Sequence, residues 1–345
     1  MNKMDVKLTE IVFPGVDQVS HETRPASIHL GPDDVLIQTL YSVVSAGTEL
    51  AKLSGLQKVS YPFVPGNRAV GKVVAIGNAV TDVAIGDHVF CHTPHASYAV
   101  ANRLRLPVPN GVDLRVSPLV GLAMVGMTAV RVGQVELGDR VAVIGLGLVG
   151  QLAAQLLQQA GADVIGIDTV AARRKIAQDW GLNRLVDASQ GNAREAVLDL
   201  TDGKGVDVVV EASGNPRAAE LAAGLTGLNG EGVVVLLGSP RADYETNLTP
   251  FLNRVHLWHN GSVVVRGAHE WRYPLQQTPF QKHSMQRNGA IIFRLMAEGK
   301  LKTAPLISRT VPPSEARIAF DDLREHPESC LSIVFDWTAG EDCTQ

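Results

Sequence analysis

Cysteine is almost missing from this chain. Three residues, Cys91, Cys330 and Cys343, are scattered through 345 positions with no Cys-x-x-Cys pair. An odd, unpaired set builds neither a disulfide framework nor a four-cysteine zinc lobe. An excess of positive charge is missing too. With 31 Lys and Arg against 35 Asp and Glu, the net charge of −4 offers no basic field for phosphate backbones, so nucleic acid is not an expected partner. Long apolar runs are also lacking. No segment reaches the ~20 uninterrupted apolar residues of a membrane helix, and the opening MNKMDVKLTEIVF has no signal-peptide core. The resulting expectation is a cytoplasmic protein with no membrane partner.

What is present is a globular composition, 45% hydrophobic and 19% charged, in a chain long enough for two domains. Residues 1–120 carry β-branched runs broken by turn residues, DVLIQTLYSVV, AVGKVVAIGNAV and GDHVFCHT, which predict a mainly β domain. From 121 to 267 apolar strands alternate with amphipathic helices: RVAVIGLG, QLAAQLLQQAGA, ADVIGID, AARRKIAQDWG, VDVVVEASG, RAAELAAGLTGL, GVVVLLGSP and SVVVRG. That rhythm predicts an α/β, doubly wound parallel sheet. The tail, 268–345, mixes the helix-like GAIIFRLMAEGKL with the closing strand CLSIVFDW and is expected to return to the first domain.

The strongest motif is VAVIGLGLVG, in which Gly145, Gly147 and Gly150 form GxGxxG straight after an apolar strand. The first glycine permits a tight turn, the second lets a pyrophosphate approach the backbone, and the third lets helix and strand pack closely. Leu148 and Val149 open the helix whose N-terminus offers N–H groups to phosphate. Asp168, with Thr169 beside it, ends the next strand about 20 residues on, where a carboxylate grips the ribose hydroxyls. Because that carboxylate repels a 2′-phosphate, NAD is expected over NADP; Arg173 and Arg174 are the basic residues that could argue otherwise. Ser213-Gly214 and Gly238-Ser239 end later strands, and with Val265 of SVVVRG they complete the expected cofactor wall.

With these motifs and SAGTEL, VPGNRAVGKVVAIG, VAIGDHVF and VVEASG in order, the chain resembles the medium-chain dehydrogenase/reductase superfamily, of the zinc alcohol and polyol dehydrogenase type. The resemblance implies a Rossmann domain inserted into a split, GroES-like catalytic domain, a small-molecule substrate, and a homodimer or homotetramer. Short segments, YPFVPGNRAVG and HASYAVA, are most similar to the group of bacteriochlorophyllide a dehydrogenase. The departures are specific. Where the family's zinc ligands stand, this chain has Ala46, Asn67 and, for the third, Val120 or Gly121; Arg68 replaces an acid, and Val89 to Tyr98 leaves no room for a structural zinc lobe. Zinc needs thiolate, imidazole or carboxylate donors, so no metal is expected.

Without zinc, side chains must take the hydroxyl proton and stabilise an alkoxide. Four candidates follow. Arg68 supplies a permanent cation, or else pairs with Glu49; Asn67 supplies an amide donor; Thr48 matches the family's proton-relaying hydroxyl, or else caps a helix starting at Glu49. His95 in CHTPHASYAV is the expected acid/base, with a buried, hydrogen-bonded histidine as the competing account. Ser45, Tyr98, His269 and Trp271 are expected around the substrate. The leading expectation is a zinc-independent, NAD-dependent dehydrogenase of secondary alcohols. The alternatives are a zinc-free enone or quinone reductase and a non-catalytic NAD-binding protein.

Overall fold

A computed structural model describes residues 2–228 and 230–339; Cys343 lies outside them. The chain opens with a two-stranded antiparallel ribbon, β1 (Asn2–Val12) and β2 (Ser20–Leu30). β3 (Val35–Val43) then leads into helix α1 (Ala46–Leu53), followed by β4 (Ala69–Ile76), β5 (His88–Cys91), β6 (Tyr98–Ala101) and β7 (Arg105–Pro107). β3 reads VLIQTLYSV and is largely buried, as expected for a β-branched strand paired along both edges.

The second stretch builds α2 (Leu119–Gly133), β8 (Arg140–Ile144), α3 (Leu148–Gln159), β9 (Asp163–Asp168), α4 (Ala171–Asp179), β10 (Arg184–Asp187) and α5 (Ala193–Leu200). It continues through β11 (Val208–Glu211), α6 (Pro216–Leu225), β12 (Val233–Leu236), α7 (Thr249–His256) and β13 (Val264–Gly267). The six strands are parallel, in the order β10-β9-β8-β11-β12-β13. Alternate residues of β8 enter opposite apolar layers, Val141 and Val143 into one and Ala142 and Ile144 into the other. Burial on both faces explains why these strands read as unbroken apolar runs. Strand order reverses at β8, the place where such sheets open a crevice at their carboxyl ends.

The tail supplies α8 (Met285–Ala297), β14 (Arg309–Val311), α9 (Ala316–Glu325) and β15 (Ile333–Asp336). β15 pairs with the end of β3, β6 with its start and β4 with the opposite edge, giving a sheet ordered β14-β15-β3-β4-β5-β7. Two compact units result, one of residues up to Gly121, Tyr273–Gly299 and from Ile307 onward, the other of Leu122–Arg272 and Lys300–Leu306. Assigning everything after 267 to the first unit therefore needs amending. Gln155 of α3 bonds the backbone of Lys302 in both directions, at 3.1 and 2.7 Å, and draws that segment to the parallel-sheet unit. No described helix is long and apolar enough to cross a membrane.

Candidate active site

The glycine turn is shaped as its motif demands. Gly145 has φ +92°, and a Cβ there would lie 2.8 Å from Ser213; one on Gly150 would lie 1.8 Å from the Gly145 carbonyl oxygen. A Cβ on Gly147 would meet nothing within 4 Å. Two of the glycines are thus required by the fold itself, whereas the middle one faces open space that a phosphate can enter. Gly147 is the cap position of α3 and has no side chain to satisfy the helix N–H groups, so Leu148 and Val149 begin a helix with donors directed outward.

Asp168 is 6% exposed, and its carboxylate already accepts two backbone N–H groups, Leu146 at Oδ2 and Val170 at Oδ1, each at 2.7 Å. It locks the glycine turn to the end of β9, and each oxygen keeps acceptor capacity for a ribose hydroxyl. Arg173 stands 3.9 Å from the same carboxylate, while Arg174 is committed to the Asp168 carbonyl and to Asp187, each at 2.7 Å. Thr169 is exposed beside them.

Gly214, at φ +68°, packs against Ser239, and a Cβ on Gly238 would strike the Gly214 nitrogen at 2.2 Å. These turns after β11 and β12 are therefore pressed together. The group that fixes them, Glu211, is absent from the sequence-based set. Buried at the end of β11, it accepts the Ser213 N–H at 2.7 Å, the Gly214 N–H at 3.0 Å and the Ser213 hydroxyl. Burial raises its pKa against those hydrogen bonds. Val265, on edge strand β13, is partly exposed. His269 and Trp271 are exposed in the same unit, with the Trp271 N–H donating to His269 Nδ1 at 3.3 Å.

In the other unit two expectations change. Helix α1 begins at Ala46, not at Glu49, so Ser45 occupies the cap position and Thr48 lies within the first turn, its N–H donating to the Ser45 carbonyl at 3.0 Å. His95 is not open to a substrate. It is 0% exposed, with Nδ1 2.7 Å from Ser42 Oγ, Nε2 3.0 Å from Glu49 Oε2 and its ring edge-on to Phe335. Both ring nitrogens are spent on the protein interior, which corrects its assignment as acid/base. Cys91 is also buried, and burial pushes its thiol up to about 12. Tyr98 begins β6 opposite Gln38 and is half-buried.

Asn67 and Arg68 do come together: Arg68, 3% exposed, donates from Nη1 to Asn67 Oδ1 at 2.6 Å. The stem of Arg68 lies across Gly121, where a Cβ would meet its Cδ at 2.7 Å. The three places that could hold zinc thus present the methyl of Ala46, an amide already bonded to a cation, and a glycine covered by that cation. This donor set does not fit zinc. Among the described residues no cluster of three or more His, Cys, Asp or Glu could hold a metal ion.

Residues 31–112 match the alcohol dehydrogenase GroES-like domain and residues 149–277 the zinc-binding dehydrogenase family. D-guloside 3-dehydrogenase of Escherichia coli (strain K12) is 30% identical over 282 residues, covering 79% of this chain and 77% of that protein. The chain belongs to the medium-chain dehydrogenase/reductase superfamily. Sorbitol dehydrogenase of Bacillus subtilis (strain 168) is 24% identical over 68% of this chain and 78% of its own length. Galactitol-1-phosphate dehydrogenase from Escherichia coli shares the fold with a TM-score of 0.84 at 19% identity, covering 95% of this chain and 99% of that one. A Sinorhizobium meliloti 1021 protein solved bound to NADP shares it with a TM-score of 0.78 at 22% identity over 96% of this chain and 99% of that one. As a medium-chain dehydrogenase/reductase, the chain is a dehydrogenase-type oxidoreductase.

Proposed function

We propose that this enzyme exchanges a hydride between NAD and a secondary alcohol of a sugar or polyol, without a catalytic zinc, and works as a cytoplasmic homodimer or homotetramer. The substrate class is taken from the names of the guloside and sorbitol dehydrogenases among its relatives. The observation that carries the metal-free reading is the buried Arg68, which lies over Gly121 and bonds the half-buried Asn67.

Since the guanidinium holds Asn67 Oδ1, the amide nitrogen is turned the other way as a donor. In this reading that N–H₂ group donates to the oxygen on which alkoxide charge develops, and the fixed charge of Arg68 stabilises it from behind. The Thr48 hydroxyl takes the alcohol proton and passes it outward. Bound nicotinamide supplies the hydride acceptor. The α3 N-terminus at Gly147–Val149 and the carboxylate of Asp168 hold the dinucleotide, and the single carboxylate beside a committed Arg174 favours NAD over NADP.

The test is a panel of glycosides and polyols with NAD and NADP, beside enones with NADH and NADPH. NAD reduction by a sugar alcohol is expected, with Asn67→Ala lowering kcat on the order of 100-fold at unchanged NADH affinity. Full turnover by Asn67→Ala removes that residue from the mechanism. Enone reduction by NADPH with no alcohol oxidation replaces the proposal with the reductase reading.

A further inference from the structure

Four side chains of the catalytic unit that the proposed chemistry leaves unused form one line of hydrogen bonds. The indole Nε1–H of Trp337 donates to Ser42 Oγ at 2.9 Å; Ser42 Oγ lies 2.7 Å from His95 Nδ1; His95 Nε2 lies 3.0 Å from Glu49 Oε2; and Glu49 Oε1 accepts the Ser45 N–H at 2.7 Å. Ser42, Glu49, His95 and Trp337 are all buried.

The direction of the line follows from chemistry. An indole only donates and a carboxylate only accepts. With Trp337 donating to it, the Ser42 hydroxyl turns its own proton onto Nδ1, and the imidazole proton sits on Nε2 toward Glu49. A doubly protonated ring would take up the Ser42 oxygen twice and leave the hydroxyl proton without this acceptor. A neutral Nε2–H imidazole therefore satisfies every member, the condition under which a buried polar chain rigidifies its surroundings.

Its far end grips the segments that bear the proposed catalytic groups. Glu49 holds the cap position of α1, and Thr48 lies in the turn between them. The His95 ring abuts Gly66, where a Cβ would meet His95 Cγ at 2.7 Å, and the His95 N–H donates to the Pro65 carbonyl at 2.8 Å. Asn67 and Arg68 follow at once. We infer that His95 and Glu49 are positioning residues, fixing the Thr48 turn and the Asn67–Arg68 segment relative to each other through a neutral imidazole anchored by Ser42 and Trp337. Their catalytic consequence rests on the function proposed above.

The test compares Glu49→Gln, His95→Gln and Trp337→Phe with wild type in kcat, KM, NADH affinity, thermal stability and amide exchange, with ¹⁵N-histidine NMR of the wild type. Expected are the Nε2–H tautomer for His95, kcat down on the order of 10-fold to 100-fold in the Glu49 and His95 variants, and NADH affinity within about 2-fold. The milder Trp337→Phe, which keeps the packing, should lose about 3-fold in kcat and speed amide exchange at Ser45–Thr48 more than in β3. Unchanged kcat in folded Glu49→Gln, or losses of kcat and NADH affinity that simply follow stability, overturns the inference. If wild type oxidises no secondary alcohol, the function fails by itself and exchange decides here: selective loosening of Ser45–Thr48 upholds the positioning, and unchanged exchange in Glu49→Gln overturns it.

Discussion

Gly147 and Gly150 are three residues apart in one motif, yet the structure gives them opposite duties, and two alanine substitutions separate these. In Gly150→Ala the new methyl would sit 1.8 Å from the Gly145 carbonyl oxygen, over 1 Å closer than real Cβ contacts come. The neighbour is backbone, so α3 must lift off β8. Overpacking of this kind costs about 1–3 kcal/mol, and more where the backbone cannot give way. In Gly147→Ala no protein atom beyond the adjoining residues lies within 4 Å of the new methyl, and φ of −65° suits any residue, so stability should change by less than about 0.5 kcal/mol. The methyl instead enters the space left for pyrophosphate, where about 1–3 kcal/mol of overpacking converts to roughly 5-fold to 150-fold weaker NADH binding. Urea unfolding and NADH fluorescence titration read the two effects. Wild-type NADH affinity in Gly147→Ala, or wild-type stability in Gly150→Ala, refutes the division of labour.

Asp168→Asn leaves one of two backbone N–H groups with no acceptor and the other with a neutral one; it should cost about 2 kcal/mol in urea unfolding and narrow the preference for NADH over NADPH in paired titrations. Because burial raises the Glu211 pKa above 4.5, the folded chain holds that proton more tightly than the unfolded one. The associated stability is fully present below 4.5 and is lost as pH rises through the folded value, so unfolding measured over rising pH should show a decline that Glu211→Gln flattens. Cys91, with its thiol pushed up to about 12, should resist iodoacetamide in the folded protein and react on unfolding, read by mass spectrometry.

The nucleotide unit was legible from sequence because its constraints are local. Three glycines, a following helix and an acid at the next strand end all fall within one βαβ segment, and burial on both faces writes the parallel strands as apolar runs. Helix α2 was not legible, since LVGLAMVGMTAVRVG is apolar all round and shows no amphipathic period. The long-range contacts were equally hidden. Gln155 meets Lys302 across 147 positions, and Ser42 meets Trp337 across 295; neither pair has a spacing rule. His95 illustrates the same limit. A histidine between Cys91 and Tyr98 looks available until Ser42, Glu49 and Phe335 close around it. Arg68 over Gly121 completes what the letters could only suggest, because replacing three ligands says nothing of what fills their space.

The most direct measurement is zinc content set beside turnover, on protein produced with zinc supplied and assayed with and without a strong chelator. The expected result is far less than one zinc per chain and sugar-alcohol-dependent NAD reduction that the chelator leaves unchanged. One zinc per chain whose removal abolishes turnover contradicts the account.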